Sequence, residues 1–198
     1  MVNKLETEQK RIEDFMKYTA GIFSTYQMDR LREMGLFKKP ASIKHHGKQE
    51  GDLYLHSKLV AMTLQEYTVR MELQWKDPRA PIRIGILHDL CKTDDYIMVN
   101  QESETVNFSD GRTICVEEDG YYGYNPFKKM PGHGVKSVIM ALQLVPELTD
   151  EEVMCIRYHM GPWEGKEEWE FVSRAIREYS NITWTMQADL FASQVMGI

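Results

Sequence analysis

The sequence predicts an all-α fold, a helical bundle that carries one small β-hairpin insertion. Apolar residues recur at helical spacing through most of the chain, and helix start and stop signals separate these segments. The segment of about 104–118 instead alternates apolar and polar residues around Asp110-Gly111, which is typical of a hairpin. Because no repeat or linker interrupts the pattern, we expect one domain over residues 1–198.

The first part of this domain, residues 1–50, is predicted to hold two helices and a loop. One helix spans about Leu5 to Ala20, and a second follows a cap at Ser24 or Thr25 and stops at Gly35. Two histidines, His45 and His46, fall in the loop, where we interpret them as solvated side chains rather than metal ligands.

The remainder, about 51–198, is predicted to form the core. A long helix runs from Asp52 to about Lys76 and ends before Pro78, because proline disfavours helix at the residue before it. After the hairpin, the stretch Glu117 to Pro126 predicts a loop rich in glycine and tyrosine. The other predicted helices cover about 82–91, 134–144, 150–159, 166–178 and 182–195, with Asn181 as the cap of the last.

Composition narrows the class of protein. A formal net charge of -6 argues against broad nucleic-acid binding through phosphate contacts. The 3 cysteines form no Cys-x-x-Cys pair, so neither a disulfide framework nor a cysteine zinc site is indicated. No apolar run approaches the roughly 20 residues that span a bilayer, and the first residues show no hydrophobic signal region. We therefore expect a cytoplasmic protein without membrane association.

A cluster of histidines and aspartates carries the functional prediction. Adjacent His88 and Asp89 follow the apolar run Ile84-Gly-Ile-Leu, which predicts that both are buried. A buried carboxylate is costly unless a cation neutralises it, and a divalent metal would do so. Further ligand types in apolar helical contexts are His56, His133, His159 and Asp189.

Each of these residues, taken alone, could also have an ordinary structural role. His56 would fit a packed core position, and Asp189 would fit an ion pair with lysine or arginine. Their joint occurrence on several helices matches the way that helical bundles build metal sites. A mixed imidazole and carboxylate set suits Fe, Mn, Co, Ni or Zn.

The order His…His-Asp…His…His…Asp resembles the HD-domain metal-dependent phosphohydrolase superfamily. The matching segments are Tyr54-Leu-His-Ser, Leu87-His-Asp-Leu-Cys-Lys, Gly132-His-Gly-Val-Lys-Ser, Ile156-Arg-Tyr-His and Ala188-Asp-Leu-Phe-Ala, within roughly residues 50–195. The resemblance implies an HD-type helical bundle. It also implies hydrolysis of a phosphomonoester or phosphodiester, with a nucleotide or related small phosphorylated metabolite as the substrate.

Roles for individual residues also follow from the resemblance. It assigns to a first metal ion the side chains of His56, His88, Asp89 and Asp189. Asp89 would bridge to a second ion held by His133 and His159, so two ions are expected. Asp89 and Lys92 are the expected catalytic residues, with Lys92 placed to pair with a phosphate oxygen. A surface lysine at a helix end is the alternative for Lys92.

Substrate binding is expected around His133. Gly132 and Gly134 flank it at a helix start, which would leave room for an anion beside the free N–H groups. The candidate substrate-binding side chains are Lys92, Lys136, Ser137 and Arg157.

Two other functions remain open from the sequence. A mononuclear nucleotidase would use His133 and His159 as substrate contacts, and a nucleotide-binding sensor would bind without turnover. The metal content per chain distinguishes the mononuclear nucleotidase from a binuclear enzyme. A hydrolysis screen with Mn²⁺ or Co²⁺ distinguishes the sensor from an enzyme, because a sensor would show no turnover. A di-iron oxygenase is a remoter alternative, which dioxygen-dependent chemistry would reveal. The sequence does not predict the oligomeric state.

Overall fold

A computed structural model describes residues 7–44, 47–99, 104–107, 113–116, 120–163 and 165–198. Helices dominate these ranges, and the short strands form two separate antiparallel pairs. The α-helices are α1 (Glu8–Tyr18), α2 (Thr25–Met34), α3 (Asp52–Arg70), α4 (Ala80–Leu87), α5 (Lys92–Asp95), α6 (Gly134–Leu144), α7 (Asp150–Tyr158), α8 (Trp169–Glu178) and α9 (Asn181–Leu190). The strands are β1 (Tyr96–Val99), β2 (Glu104–Asn107), β3 (Thr113–Val116) and β4 (Tyr121–Tyr124).

Helix α3 lies at the centre of the molecule and contacts α4, α9 and the π-helical turn Phe191–Val195. Its contact with α4 is close because Gly85 has no side chain. A Cβ atom at Gly85 would lie 2.4 Å from both the Cα and the backbone nitrogen of Ala61. This approach places the middle of α3 directly against the helix that leads to His88.

The N-terminal helices pack on one side of α3. Phe15 of α1 makes ring contacts with Phe23, Phe37 and Tyr54, at centroid distances of 5.5, 5.4 and 6.1 Å. The buried guanidinium of Arg11 donates from Nε to the carbonyl oxygen of Phe37 at 2.6 Å. The contact with Tyr54 joins α1 to α3, and the hydrogen bond of Arg11 ties α1 to the residues that follow α2.

Several helix boundaries follow the predicted signals. Ser24 caps α2 through a capping box with Gln27, and Gly35 ends it in the left-handed conformation. Thr149 and Glu152 form the capping box of α7, and α6 spans residues 134–144 as predicted.

The long central helix is shorter than predicted, because it ends at Arg70 rather than near Lys76. Glu72 adopts a φ of 52°, and the N–H of Leu73 donates to the carbonyl oxygen of Thr68. These features form a Schellman-type helix end, which usually carries glycine at the position of Glu72. A glutamate there gives no stop signal in the sequence.

The predicted cap and two other boundaries were also wrong. Asn181 is the first residue of α9 rather than its cap, and its side-chain amide donates to the carbonyl oxygen of Gln74 and to Glu151. The short apolar helix ends at Leu87, and α8 begins at Trp169 after a 3₁₀ turn. Asn181 therefore ties α9 to α7 and to the segment after α3.

The β-hairpin is confirmed and extended. Strands β2 and β3 pair antiparallel, with Thr105 opposite Cys115, while the predicted turn Asp110-Gly111 lies outside the described residues. The predicted loop from Glu117 to Pro126 was wrong in part, because Tyr121–Tyr124 forms β4 and pairs with β1. Within the described ranges, no helix combines the length and apolar character needed to cross a membrane.

Candidate metal centre

His88 and Asp89 lie directly after α4, whose residues are all buried. His88 is the C-cap residue of this helix, and its Nδ1 lies 2.8 Å from the carbonyl oxygen of Gly85. The last carbonyl groups of a helix have no partner within the helix, so they accept such side-chain hydrogen bonds. Because a carbonyl oxygen only accepts, Nδ1 carries the hydrogen and Nε2 faces the interior as the remaining ring nitrogen.

The same arrangement recurs at two other histidines. His159 is the C-cap residue of α7, and its Nδ1 donates to the carbonyl oxygen of Ile156 at 2.8 Å. His56 lies on α3, and its Nδ1 donates to the carbonyl oxygen of Ile198 at 2.8 Å. All three imidazoles therefore direct Nε2 toward one another, as histidine metal ligands do when Nδ1 is hydrogen-bonded.

A first group of ligand atoms forms around Nε2 of His56. This atom lies 3.2 Å from Nε2 of His88, 3.1 Å from Oδ1 of Asp189 and 3.4 Å from Oδ2 of Asp89. Nε2 of His88 is 3.4 Å from the same Asp89 oxygen and 3.9 Å from Oδ1 of Asp189. Ligands about 2.1 Å from one ion lie roughly 3.0–3.4 Å apart at octahedral to tetrahedral angles, and farther at wider ones. The spacing therefore fits a single divalent ion.

A second group forms around the other oxygen of Asp89. Oδ1 lies 2.8 Å from Nε2 of His133 and 3.6 Å from Nε2 of His159. The two histidine nitrogens are 3.0 Å apart. The two carboxylate oxygens of Asp89 therefore face two different sets of nitrogen ligands, which is the arrangement of a bridging carboxylate.

Two observations show that these residues fit a metal. Oδ1 of Asp89 is buried and accepts no hydrogen bond of normal geometry within the described part of the chain, although such orphaned atoms are costly. Nε2 of His56 and Nε2 of His88 face each other at 3.2 Å, and two lone pairs at that distance repel unless a cation lies between them. A proton on His56 or a divalent ion satisfies this requirement, and the donor set is that of a transition metal.

The balance of burial and charge among the side chains of the cluster favours a proton on His56. Burial lowers the pKa of His56, but hydrogen bonds to Asp189 and Asp89 outweigh it and raise the pKa to about 9. Burial lowers the pKa of His88, so that ring is the neutral acceptor. Burial would raise the pKa of Asp89, yet the Lys92 ammonium and the neighbouring histidines hold it well below its usual value.

Lys92 lies within the cluster rather than on the outer surface. Its Nζ is 2.5 Å from Oδ2 of Asp89, and its side chain is 14% exposed. Burial opposes its charge, but Asp89 raises the pKa of Lys92 above the usual lysine value. The lysine therefore places a fixed positive charge beside Oδ2 of Asp89, the oxygen that faces the first group of ligand atoms.

One side of the cluster opens to solvent. The side chains of His133 and Asp189 are 30% and 18% exposed, whereas His56, His88 and His159 are buried. A cleft of about 360 Å³ lies nearby between α2, α5 and α6, but none of the candidate ligands lines it. We therefore take the opening beside His133, Lys92 and Asp189 as the approach to the cluster.

The other residues that were expected to bind substrate contact neighbouring protein groups. Lys136 is buried, and its Nζ lies 2.6 Å from Asp94 and 2.8 Å from Asp95. Ser137 is also buried, and its Oγ accepts from the N–H of Cys91 at 3.2 Å. Both side chains thus connect α6 to the segment after Asp89, and their roles in substrate binding stay predictions.

Arg157 and the glycine beside His133 also have structural contacts. The guanidinium of Arg157 pairs with Glu168 at 2.8 Å. A Cβ atom at Gly134 would lie 2.0 Å from the carbonyl oxygen of Arg157, so α7 fills the space next to Gly134 that the sequence suggested for an anion. This close approach brings His133 and His159 together.

Sequence reasoning missed two partners of the ligands. The sulfur of Cys91 lies 3.2 Å from Nδ1 of His133, and Ile198 supplies the carbonyl oxygen that binds His56. Burial raises the pKa of the Cys91 thiol, so it is neutral beside His133. The position of Cys91 two residues after Asp89 was the one available signal, whereas nothing in the sequence marks Ile198. The histidines His45 and His46 lie outside the described residues.

No family model, no curated protein and no solved structure matches this chain.

Proposed function

We propose that this protein is a metal-dependent phosphohydrolase of the HD type, which uses a binuclear His/Asp centre to hydrolyse a phosphomonoester or phosphodiester. The observation that carries the proposal is the position of the Asp89 carboxylate between two groups of histidines. Its two oxygens face separate groups of histidine nitrogens at 2.8–3.6 Å. Asp89 has Lys92 and four histidines around it.

Each group of the cluster has a task in this reaction. His56, His88, Asp89 and Asp189 would hold one ion, and Asp89, His133 and His159 would hold the other. Divalent ions of this kind supply Lewis acidity, which favours a deprotonated water near neutral pH and offsets charge on a phosphoryl group. Asp89 fixes the separation of the two groups of ligands.

Lys92 provides the positive charge that a phosphorylated substrate meets at the opening. Its ammonium is anchored on Asp89 and its side chain keeps some exposure, so it can donate to a phosphoryl oxygen without leaving that carboxylate. A nucleotide or a related small phosphorylated metabolite is the substrate class that we propose. We further propose that the enzyme acts in the cytoplasm and without association with nucleic acid or membrane.

The test is a hydrolysis screen on protein purified without chelator, with Mn²⁺ or Co²⁺ and generic phosphate mono- and diesters. We expect turnover that chelation abolishes and that either metal restores. A chain that binds nucleotides without turnover would instead be a sensor.

The exposure of His133 favours one second candidate, a mononuclear nucleotidase in which His133 and His159 contact the substrate. Metal analysis separates the two enzymes. About two ions per chain supports the binuclear centre, and about one ion supports the nucleotidase.

A further inference from the structure

The three buried histidines differ in where their Nδ1 hydrogen bonds go. His88 and His159 bond to carbonyl oxygens three residues earlier, at the ends of their own helices. His56 bonds to Ile198, which is 142 residues away. This long-range partner suggests that a distant segment controls the first group of ligands.

The difference has a physical cause in the position of each histidine. Helix ends have carbonyl groups without intrahelical partners, and His88 and His159 use such groups. His56 lies early in α3, a 19-residue helix whose carbonyl groups at this end accept hydrogen bonds within the helix. An acceptor for Nδ1 of His56 must therefore come from another part of the chain.

The segment 191–198 is built to deliver that acceptor. It continues α9, which carries Asp189, through the π-helical turn Phe191–Val195. The N–H of Met196 then donates to Phe191, and the N–H of Ile198 donates to Ala192, both at 3.1 Å. Gly197 reverses the chain with a φ of 71°, and Ile198 packs against the core.

We propose that segment 191–198 positions the first metal group, because the backbone oxygen of Ile198 holds His56 with its Nε2 directed at the other ligand atoms of that group. The inference rests on the proposed metal centre. Ile198 is a positioning residue here, since it acts through His56 and touches no ion. Because the same segment follows Asp189, it also links two ligands of that group, one on α3 and one on α9.

Gly197 offers a sharp test, because a side chain there changes the backbone preference without a steric clash. No atom lies within 4 Å of a Cβ built at Gly197, and the same holds at Gly21, where φ is 77°. β-Branched residues are strongly disfavoured at such φ values. Gly197→Val should therefore displace the Ile198 carbonyl, and Gly21→Val is the matched control far along the chain.

The first measurement is metal affinity by competition with a chelating dye. We expect Gly197→Val, and a second variant that lacks Gly197 and Ile198, to bind the first ion about 10–100-fold more weakly. Gly21→Val should bind as the wild type does. Equal affinity in all four proteins would overturn the inference.

The second measurement follows the Nδ1–H proton of His56 by NMR in the metal-free protein. We expect a protected resonance in the wild type and in Gly21→Val, and its loss in both variants of the segment. A resonance that survives in those variants overturns the inference, whatever the metal result. A wild-type chain that binds no divalent ion would instead overturn the proposed metal centre.

Discussion

Asp89 is the residue on which the chemistry depends. It is 2% exposed, and its carboxylate has an ammonium and four imidazoles around it. Lys92 and the histidines keep it ionised although burial opposes the charge. A carboxylate in this position stays ionised, as a metal ligand must.

Replacement of this carboxylate tests its bridging role. We expect Asp89→Asn to lower the affinity for both ions by about 100-fold or more, because the amide has lost the charge that both groups share. Metal analysis after gel filtration would measure the loss. Asp14→Asn is the control, since Asp14 is a paired carboxylate that binds Lys58 and Tyr54 away from the cluster. Retention of two ions by Asp89→Asn would contradict the bridge.

Protonation of His56 predicts how metal affinity depends on pH. The pKa of His56 in the metal-free protein is about 9, so the ring carries a proton at neutral pH that an ion must displace. Apparent affinity should therefore rise about tenfold per pH unit below that value and level off above it. Calorimetry in buffers of different ionisation enthalpy should detect about one proton released when the first ion binds. Affinity that stays flat between pH 6 and 8 would show that His56 is neutral.

At the scale of elements, helix ends and one close helix contact position the ligands. His88 and His159 cap their helices, and Gly85 lets α4 approach the backbone of Ala61 on α3. That contact sets the distance between the helix of His56 and the helix that ends at His88.

Gly85→Ala tests the close contact. Alanine gains about 1 kcal/mol over glycine in a helix interior, but overpacking costs about 1–3 kcal/mol. Because the clash is with backbone atoms at 2.4 Å, we expect the upper end of that cost and a net loss of about 2 kcal/mol. Urea denaturation measures this change in the free energy of unfolding. Ala61→Gly should not rescue the variant, and full rescue would mean that side-chain crowding alone was the cause.

The sequence predicted the elements better than their ends. Ser24, Gly35 and Thr149 use common capping chemistry, and the alternation around β2 and β3 is strong. The end of α3 was missed because Glu72 occupies a position where glycine is usual. Strand β4 was missed because it pairs with β1, and the sequence of β1 shows no clear alternation of apolar and polar residues.

At the scale of the whole molecule, buried ion pairs join the helices that carry the ligands. Arg83 of α4 binds Glu152 of α7 through two hydrogen bonds, at 2.7 and 2.9 Å, and both side chains are buried. The pair holds the first turn of α7 against the middle of α4, and His88 and His159 follow the C-terminal ends of these two helices.

Removal of one partner of the Arg83–Glu152 pair should lower the free energy of unfolding more than replacement of both. We expect Arg83→Met to destabilise the protein by about 3–5 kcal/mol, because the Glu152 carboxylate stays buried without its cation. The double variant Arg83→Met, Glu152→Gln should recover part of that loss, since glutamine retains the hydrogen bonds of a capping box. Thermal and urea denaturation would measure both. A double variant less stable than Arg83→Met would contradict this interpretation.

The composition of the candidate site was predictable from sequence, but its environment was not. Histidines and aspartates within apolar helices are conspicuous, and the structure brings all six together. The surroundings of Lys136 were missed, because its partners Asp94 and Asp95 lie on the short helix α5, some 40 residues earlier in the chain. Long-range pairing of this kind, like that of His56 with Ile198, leaves no periodic signal in the sequence.

A crystal structure of protein purified without chelator, with anomalous data at the metal edges, tests the central claim most directly. We predict two anomalous peaks on either side of the Asp89 carboxylate. One should lie among His56, His88 and Asp189, and the other beside His133 and His159. A cluster without anomalous density, in which Lys92 and a proton on His56 alone balance the two aspartates, would contradict the account.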